Sequence, residues 1–535
     1  MPKSYLADSI YDRLKAIQEI ALDLVKEKDP HQVLKTIISK AVELMICDAG
    51  SIYVKHEDNQ LMFVSAINHS VETDLEKKLV PLDYKGLAVY SFMNSKPLSI
   101  NDVYNIPEGS PYNFNANFDK RSGYRTKSVL LQPLVSSRGE TLGVIQLINR
   151  KNTKEEVWPS HDPNLIENFP GFNDEDISLI KTFANLAAAS LENALLYENI
   201  HQLFEGFVFA SVKAIESRDA PTRGHSERVA ILTVDLAEHV SRSSDYGVRH
   251  IQFSDKQINE IRYAALLHDF GKIGVKEDTL LKQKKLFDYE MQRIQGRLQS
   301  FKTARKMHAL EDYLNKLADN NQAPTHLDLK RIDNQINDFS DELNSYWKMI
   351  LELNEPTILD EDKRELLNKI ITLEFLDAHR KQQKLLDTNE AEVLSIKKGS
   401  LSDEERLEIQ SHVTRTYQFL KEIPWTRDFS FVPEIAYAHH EFLNGTGYPR
   451  NLKKKDIPIQ SQIMTVCDIF DALAAADRPY KKALPSERAL DILGYEVQDG
   501  KIDSRLLKIF IEAKIFENPN FIKLTRNSFH TKKAA

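Results

Sequence analysis

Apolar residues recur at helical spacing from Ile17 to Met45, which predicts a helix over that stretch. The next segment, SIYVKHEDNQLMFVSA, has the pattern of a strand, a polar turn and a second strand. The later run SVLLQPLVSSRGETLGVIQLIN repeats the design, with Ser136 to Glu140 turning between two apolar strands. Hairpins flanked by helices predict an α+β domain over residues 1–173, an antiparallel sheet with helices packed against it. From Asp174 to about Ser217 the chain is nearly free of Gly and Pro. Ile180, Phe183, Ala187, Leu191 and Leu195 keep the three-to-four spacing of one long helix leading out of that domain. An apolar stripe on a long connector commonly pairs with its twin, so residues 174–217 are expected to form a parallel coiled coil in a homodimer. Beyond it, residues 218–535 read as helical throughout. Between Lys276 and Ser400 there are only two glycines and two prolines, and breaks near Pro324 and Pro356 predict about three amphipathic helices.

A length of 535 residues exceeds one ordinary core and implies two or three domains. With 41% hydrophobic residues, 28% charged residues and a net charge of −8, the chain lacks the basic excess of a binder of duplex nucleic acid. Any anionic ligand must therefore be held by local charges. The two cysteines, Cys47 and Cys467, have no partner at metal-ligand spacing, so both are expected to be small core residues of a protein in a reducing compartment. The first residues have no apolar signal core and no run of about 18 apolar residues occurs, so the expected place is the cytoplasm, without a membrane span.

The candidate chemistry lies in the second half. A lone His on a helix is ordinarily a satisfied core residue, and His239, His250 and His308 are read that way. Other positions combine. In YAALLHDF an apolar helix ends in adjacent His268 and Asp269, followed by Gly271, a residue suited to closing a helix. The pair His439 and His440 ends FVPEIAYA, and Asp468 sits inside the apolar helix IMTVCDIFDALAAA. Burying such groups is costly unless they are compensated, and a divalent cation is the economical partner for several converging ones.

The doublet at 268–269, the later HHEFLNGTGYP and the run DRPYKK are similar to the HD superfamily of metal phosphohydrolases, and specifically to its HD-GYP branch, which hydrolyses cyclic di-GMP. The resemblance implies an all-α HD-type domain over 218–535. One metal would be held by His225, His268, Asp269 and Asp468, and a second by His412, His439 and His440, with Asp269 bridging the two. Pro221 stands where some members carry a Glu that holds a third metal, so two divalent ions are expected, iron or manganese by the resemblance. Lys272 is expected to act on the scissile phosphate, and Arg478 and Lys481 to grip the substrate phosphates. Asn444 replaces the branch's usual Asp, and an extra alanine precedes Arg478 (DIFDALAAADRP). The N-terminal region resembles a GAF sensory domain through GYRTKSVLLQPL, GVIQLIN and FNDEDISLIKTFA. Asn149, Lys151, Phe172 and Glu175 loosely match the motif of cyclic-nucleotide-binding members, which makes this domain a candidate for a small-molecule ligand.

The function these features imply is a sensor-regulated, metal-dependent phosphodiesterase that opens cyclic di-GMP to linear pGpG and then GMP. Two alternatives belong to other classes. One is an HD-GYP module that only recruits partners, which loss of a metal-binding residue would favour. The other is a phosphohydrolase for another nucleotide, such as a mixed cyclic GMP-AMP, because metal-binding side chains report the reaction rather than the base. Lastly, His268 and His412 stand 144 residues apart, where relatives have a much shorter connection. The borders of that interval align with one another: KQKKLFDYEMQRIQGR from Lys282 and KKGSLSDEERLEIQSH from Lys397, with Arg297 falling where the second copy has His412. This pattern predicts a helical module inserted over about 283–397 beside a partial duplication.

Overall fold

Each hairpin segment of the first region does pair, and the pairs join into one antiparallel sheet. The computed structural model describes residue 15 and residues 17–56, 59–72, 78–159, 163–218, 223–245, 247–475 and 484–531. It divides into two compact units, residues 1–206 and 207–535. In the first unit the helices are α1 (residues 17–26), α2 (Pro30–Met45), α3 (Leu87–Asn94), α4 (Asn117–Ser122) and α5 (Pro163–Ile166). The strands are β1 (Cys47–His56), β2 (Gln60–Asn68), β3 (Leu79–Pro81), β4 (Leu98–Ile100), β5 (Val129–Val135) and β6 (Thr141–Arg150), in the order β3-β2-β1-β6-β5-β4. Helix α2 and the start of α6 (Asp174–Arg218) cover one face, where Ile37, Ile38, Ile52, Ile145, Phe183 and Ala187 share a core. Cys47 lies in that core and Cys467 in the core of the second unit, both as free thiols.

One predicted helix is two. The helix expected over Ile17 to Met45 is interrupted at residues 27–29, because Asp29 caps a new helix by accepting from the His31 backbone N–H at 2.8 Å and Pro30 occupies the position where a missing N–H costs nothing. The long connector is as expected, an unbroken α6 of 45 residues.

The second unit is helical: α7 (His225–Arg242), α8 (Asp255–Leu267), α9 (Glu277–Leu280), α10 (Asp288–Asp319), α11 (His326–Leu353), α12 (Glu361–Ile371), α13 (Thr388–Leu394), α14 (Asp403–Glu422), α15 (Val432–Tyr437), α16 (Ile459–Ala474), α17 (Ser486–Gln498), α18 (Ser504–Glu512) and α19 (Pro519–Thr531). Helices α7, α8 and α16 to α19 enclose one core through Leu236, Ile261, Val466, Phe470 and Phe510. The interval from Leu286 to Leu394 has an apolar core of its own, built from α10 to α13. It also holds a feature the helical pattern does not reveal, a hairpin of β7 (Glu374–Leu376) and β8 (Gln382–Lys384), turned by Asp377, whose carboxylate accepts from the backbone of His379 and Lys381. No helix among the described residues is long and apolar enough to cross a membrane.

Candidate metal centre

Five helices deliver the predicted side chains to one place. His225 opens α7, His268 and Asp269 follow the last turn of α8, His412 lies mid-way along α14, His439 and His440 follow α15, and Asp468 sits in α16. Donor atoms of His225, His268 and Asp269 lie within 4.8 Å of one another, as do those of His268, His439 and Asp468, and those of His412, His439 and His440. All seven sequence-predicted positions thus converge in one continuous cradle.

The local backbone explains how the rings are aimed. His268 Nδ1 donates to the Ala265 carbonyl at 2.7 Å, His412 Nδ1 to Ile409 at 2.6 Å and His439 Nδ1 to Ala436 at 2.7 Å, each three residues back along its own turn. A carbonyl only accepts, so each of these rings carries a proton on Nδ1 and turns its Nε2 into the cradle. Those three Nε2 atoms are buried and have no hydrogen-bond partner among the described residues. Burial, with further help from neighbouring rings, holds His439 well below the usual imidazole range, and burial lowers His440 to about 3. Buried imidazole nitrogens without a hydrogen-bond partner, set beside carboxylates, are a donor set that suits a divalent cation, so the residues present fit such a group.

The carboxylates face two ways. Asp269 Oδ2 lies 3.4 Å from His268 Nε2 and 3.8 Å from His225 Nε2, whereas its Oδ1 lies 3.2 Å from His412 Nε2. Burial alone would raise the Asp269 pKa, but Lys272, whose Nζ is 2.8 Å from Oδ2, and the surrounding rings keep it well below the ordinary carboxylate range. Asp468 places Oδ1 3.1 Å from His225 Nε2 and Oδ2 3.8 Å from His440 Nδ1. For His225, burial works against the charged form, but hydrogen bonds to Asp468 and Asp471 outweigh it and push the ring up to about 10.

Several supporting residues escaped the sequence reading. Asp471, fully buried, meets His225 Nδ1 at 2.7 Å and accepts two bonds from the buried Arg228 guanidinium, at 2.7 and 3.0 Å. The signal was present: Asp471 lies three residues after Asp468, Arg228 three after His225, and each pair therefore shares a helix face. Thr416 donates to the His268 carbonyl at 2.9 Å, and Thr465 to that of His439 at 2.7 Å.

Gly271 has a different role from the one expected. It does not close a helix in a left-handed conformation; a Cβ there would lie 1.9 Å from the His412 carbonyl oxygen, so glycine lets the turn after Asp269 pack against α14. His250 is exposed rather than a core residue, and His239, which bonds the Asp235 carbonyl on its own helix, is half-buried rather than in the core, whereas His308 is buried against the Ala378 carbonyl as expected. Asn444 bonds the Asp499 carbonyl and caps Thr446, so it organises its own loop. Arg478, Lys481 and Pro221 lie outside the described residues.

In the first unit, a cavity of about 240 Å³ is lined by Tyr53, Phe63, Asn68, Asp119, Tyr124 and Gln146, among others. None of Asn149, Lys151, Phe172 and Glu175 lines it. Asn149 and Lys151 are buried and bonded to neighbouring loops, Phe172 belongs to the core and Glu175 is exposed.

Comparison with known proteins agrees with both units. Residues 29–191 match the GAF domain, and residues 222–367 and 389–506 match two HD domain models. The chain is 41% identical over 97 residues to a 3'3'-cGAMP-specific phosphodiesterase (number 3) of Vibrio cholerae, which is 18% of this chain and 20% of that one. It is 39% identical over 94 residues to a cyclic di-GMP phosphodiesterase of Thermotoga maritima, 18% of this chain and 25% of the other. It is also 37% identical over 119 residues to the cyclic di-GMP phosphodiesterase response regulator RpfG of Xanthomonas campestris, 22% and 31% of the two chains. The matched part thus spans between a fifth and a third of the length of these relatives.

Proposed function

We propose that this chain, which carries a GAF domain followed by an HD domain, is a two-metal phosphodiesterase that hydrolyses cyclic di-GMP to linear pGpG and onward to GMP. The observation that carries the reading is the set of three buried, unpartnered imidazole nitrogens facing two carboxylates. One cation is assigned to His225, His268, Asp269 and Asp468, the other to His412, His439 and His440, with Asp269 between them. The two faces of Asp269 support the bridging role. Bound cations would polarise the phosphoryl oxygens and make hydroxide accessible near neutral pH. Iron or manganese suits the imidazole-rich set.

The protein's own groups supply the rest. Hydrogen bonds from Nδ1 to backbone carbonyls fix the ring orientations, and Asp471 fixes that of His225. Lys272 stands beside Asp269 at the rim, where its ammonium meets the charge that builds on the phosphate or its leaving oxygen. Arg478 and Lys481 are assigned to the substrate's phosphates. The GAF cavity is the place proposed for a small regulatory ligand. On α6, Leu196, Ile200, Leu203 and Phe207 are exposed at alternating spacings of four and three, the seam of a coiled coil, which supports a homodimer. Two buried free thiols fit a reducing, cytoplasmic setting.

The test is substrate profiling of the anaerobically purified full chain with cyclic di-GMP, 3'3'-cGAMP and nucleoside phosphates, products being separated by chromatography. We expect pGpG from cyclic di-GMP at the highest kcat/KM. Hydrolysis of 3'3'-cGAMP alone would move the assignment to that substrate, and no hydrolysis of any of them would favour a partner-recruiting module.

A further inference from the structure

The seven side chains of the cradle are unequally open. His440 is 27% exposed, whereas His225, His268, Asp269, His412 and Asp468 are each at 10% or less and His439 is buried. A substrate therefore reaches the centre on the His440 side. A groove of about 420 Å³ lies there, within the range usual for small-molecule sites. One wall is a stripe of α14, formed by Leu407, Gln410, Ser411 and Thr414, and Ser411 directly precedes His412. The other wall is the loop from Thr446 to Pro449 with Asn451. The Tyr448 ring leans on the His440 ring with centroids 4.8 Å apart, which joins this wall to the cradle. Glu441 holds the loop in place by accepting from the backbone of Arg450 and Leu452 at 2.7 and 2.8 Å.

The polar groups along the groove divide into committed and uncommitted. The Ser411 hydroxyl bonds the Glu408 carbonyl, the Thr446 hydroxyl bonds Asn444 and the Asn451 amide bonds the Gly447 carbonyl. The side chains of Gln410 and Thr414, one turn apart on the same face, make no hydrogen bond among the described residues. Leu407, 65% exposed, adds an apolar edge and Tyr448 an aromatic one. An amide that both donates and accepts, a hydroxyl, and apolar and aromatic edges together suit a flat heteroaromatic ring with a hydrogen-bonding rim.

We propose that this groove seats one purine base of the diester and that Gln410 and Thr414 read its edge, so that they set base specificity while the cradle does the chemistry. The inference rests on the phosphodiesterase reading and names the part of the substrate that selects it. The test compares kcat/KM for cyclic di-GMP with that for bis(p-nitrophenyl) phosphate, a diester without a base, in the metal-loaded full chain and in Gln410→Ala and Thr414→Val. The ratio of the two constants should fall about tenfold for Gln410→Ala, the scale of one lost hydrogen bond, with most of the change in KM for the dinucleotide. Thr414→Val should lower it less. A ratio unchanged in both variants would overturn the base site while leaving the phosphodiesterase intact. A wild-type chain that cleaves bis(p-nitrophenyl) phosphate but no cyclic dinucleotide would instead overturn the dinucleotide reading, and the base site with it.

Discussion

The His and Asp cradle and the helical module from Leu286 to Leu394 are both built mainly from helices, yet they treat buried polarity in opposite ways. In the module, Glu390 is fully buried, but it accepts from Arg293 and Arg297 and from the Asp387 backbone. Lys285, equally buried, donates to the Leu394 carbonyl at 3.0 Å, and a continuous apolar core surrounds them. In the cradle, the Nε2 atoms of His268, His412 and His439 are buried with no hydrogen-bond partner among the described residues, although Lys272 faces Asp269 and His225 faces Asp468. Burying polar atoms without partners is destabilising, so an arrangement that repeats it three times at one spot is built for a partner that arrives from outside. The module needs none.

The largest effect should come from Asp269→Ala, because that side chain presents one oxygen to His268 and the other to His412. We expect turnover to fall about 10³-fold or more, the scale of several kcal/mol of lost charge stabilisation. Bound metal should drop at both positions by elemental analysis, with His250→Ala as an unaffected comparison. Near-normal metal content in Asp269→Ala would break the contrast at its centre. Lys272→Ala should retain its metal and lose about 10²-fold in kcat. A change confined to KM would assign Lys272 to binding alone.

A smaller effect is expected from Asp471→Asn, which keeps the shape of the side chain but removes the charge that orients His225 and balances Arg228. Loss of an outer partner of this kind costs roughly 10–100-fold in metal affinity or activity, and titration of the apo protein with manganese would measure it. An affinity equal to wild type would show that the backbone alone aims His225.

The smallest effect is expected from deleting residues 283–397. The module's core draws only on its own residues, the Ser400 hydroxyl bonds the Lys282 carbonyl at 3.3 Å, and Lys282, which the deletion keeps, pairs with Glu405 at 2.6 Å. The shortened chain should fold, bind both metals and turn over close to the full-length rate. A folded product lacking metal would show that the module positions His412.

How much of this was legible in the sequence depended on the kind of signal each feature leaves. The hairpins and the connector were readable from periodicity. His268, Asp269, His439, His440 and Asp468 were readable because such groups at the ends of or inside apolar helices are costly to bury unless a cation compensates them, whereas His225 and His412 were readable only through the resemblance to the HD superfamily. The alignment of the two borders was also real in local structure. Each starts a helix, and the backbone N–H of Phe287 donates to Glu290 as that of Ser402 does to Glu405. In the first border Arg297 pairs with Glu390 where the second has His412 in the cradle. What was missed acts through geometry or through brief local chemistry. Asp471 looked like one more charge on a helix, Gly271 matters only because α14 passes against it, and the Asp29-Pro30 break was hidden by apolar periodicity continuing on both sides. The hairpin at Glu374 to Lys384 is too short to announce itself by alternation.

If the unpartnered nitrogens exist to hold two cations that drive phosphodiester hydrolysis, bound metal and turnover must rise and fall together. Elemental analysis of the anaerobically purified full chain, before and after chelation and reloading with iron or manganese, read together with cyclic di-GMP hydrolysis, decides this. We expect two divalent ions per chain, loss of hydrolysis when they are stripped, and recovery of both on reloading. A chain that holds none, or one that still hydrolyses the dinucleotide after stripping, would overturn the metal centre.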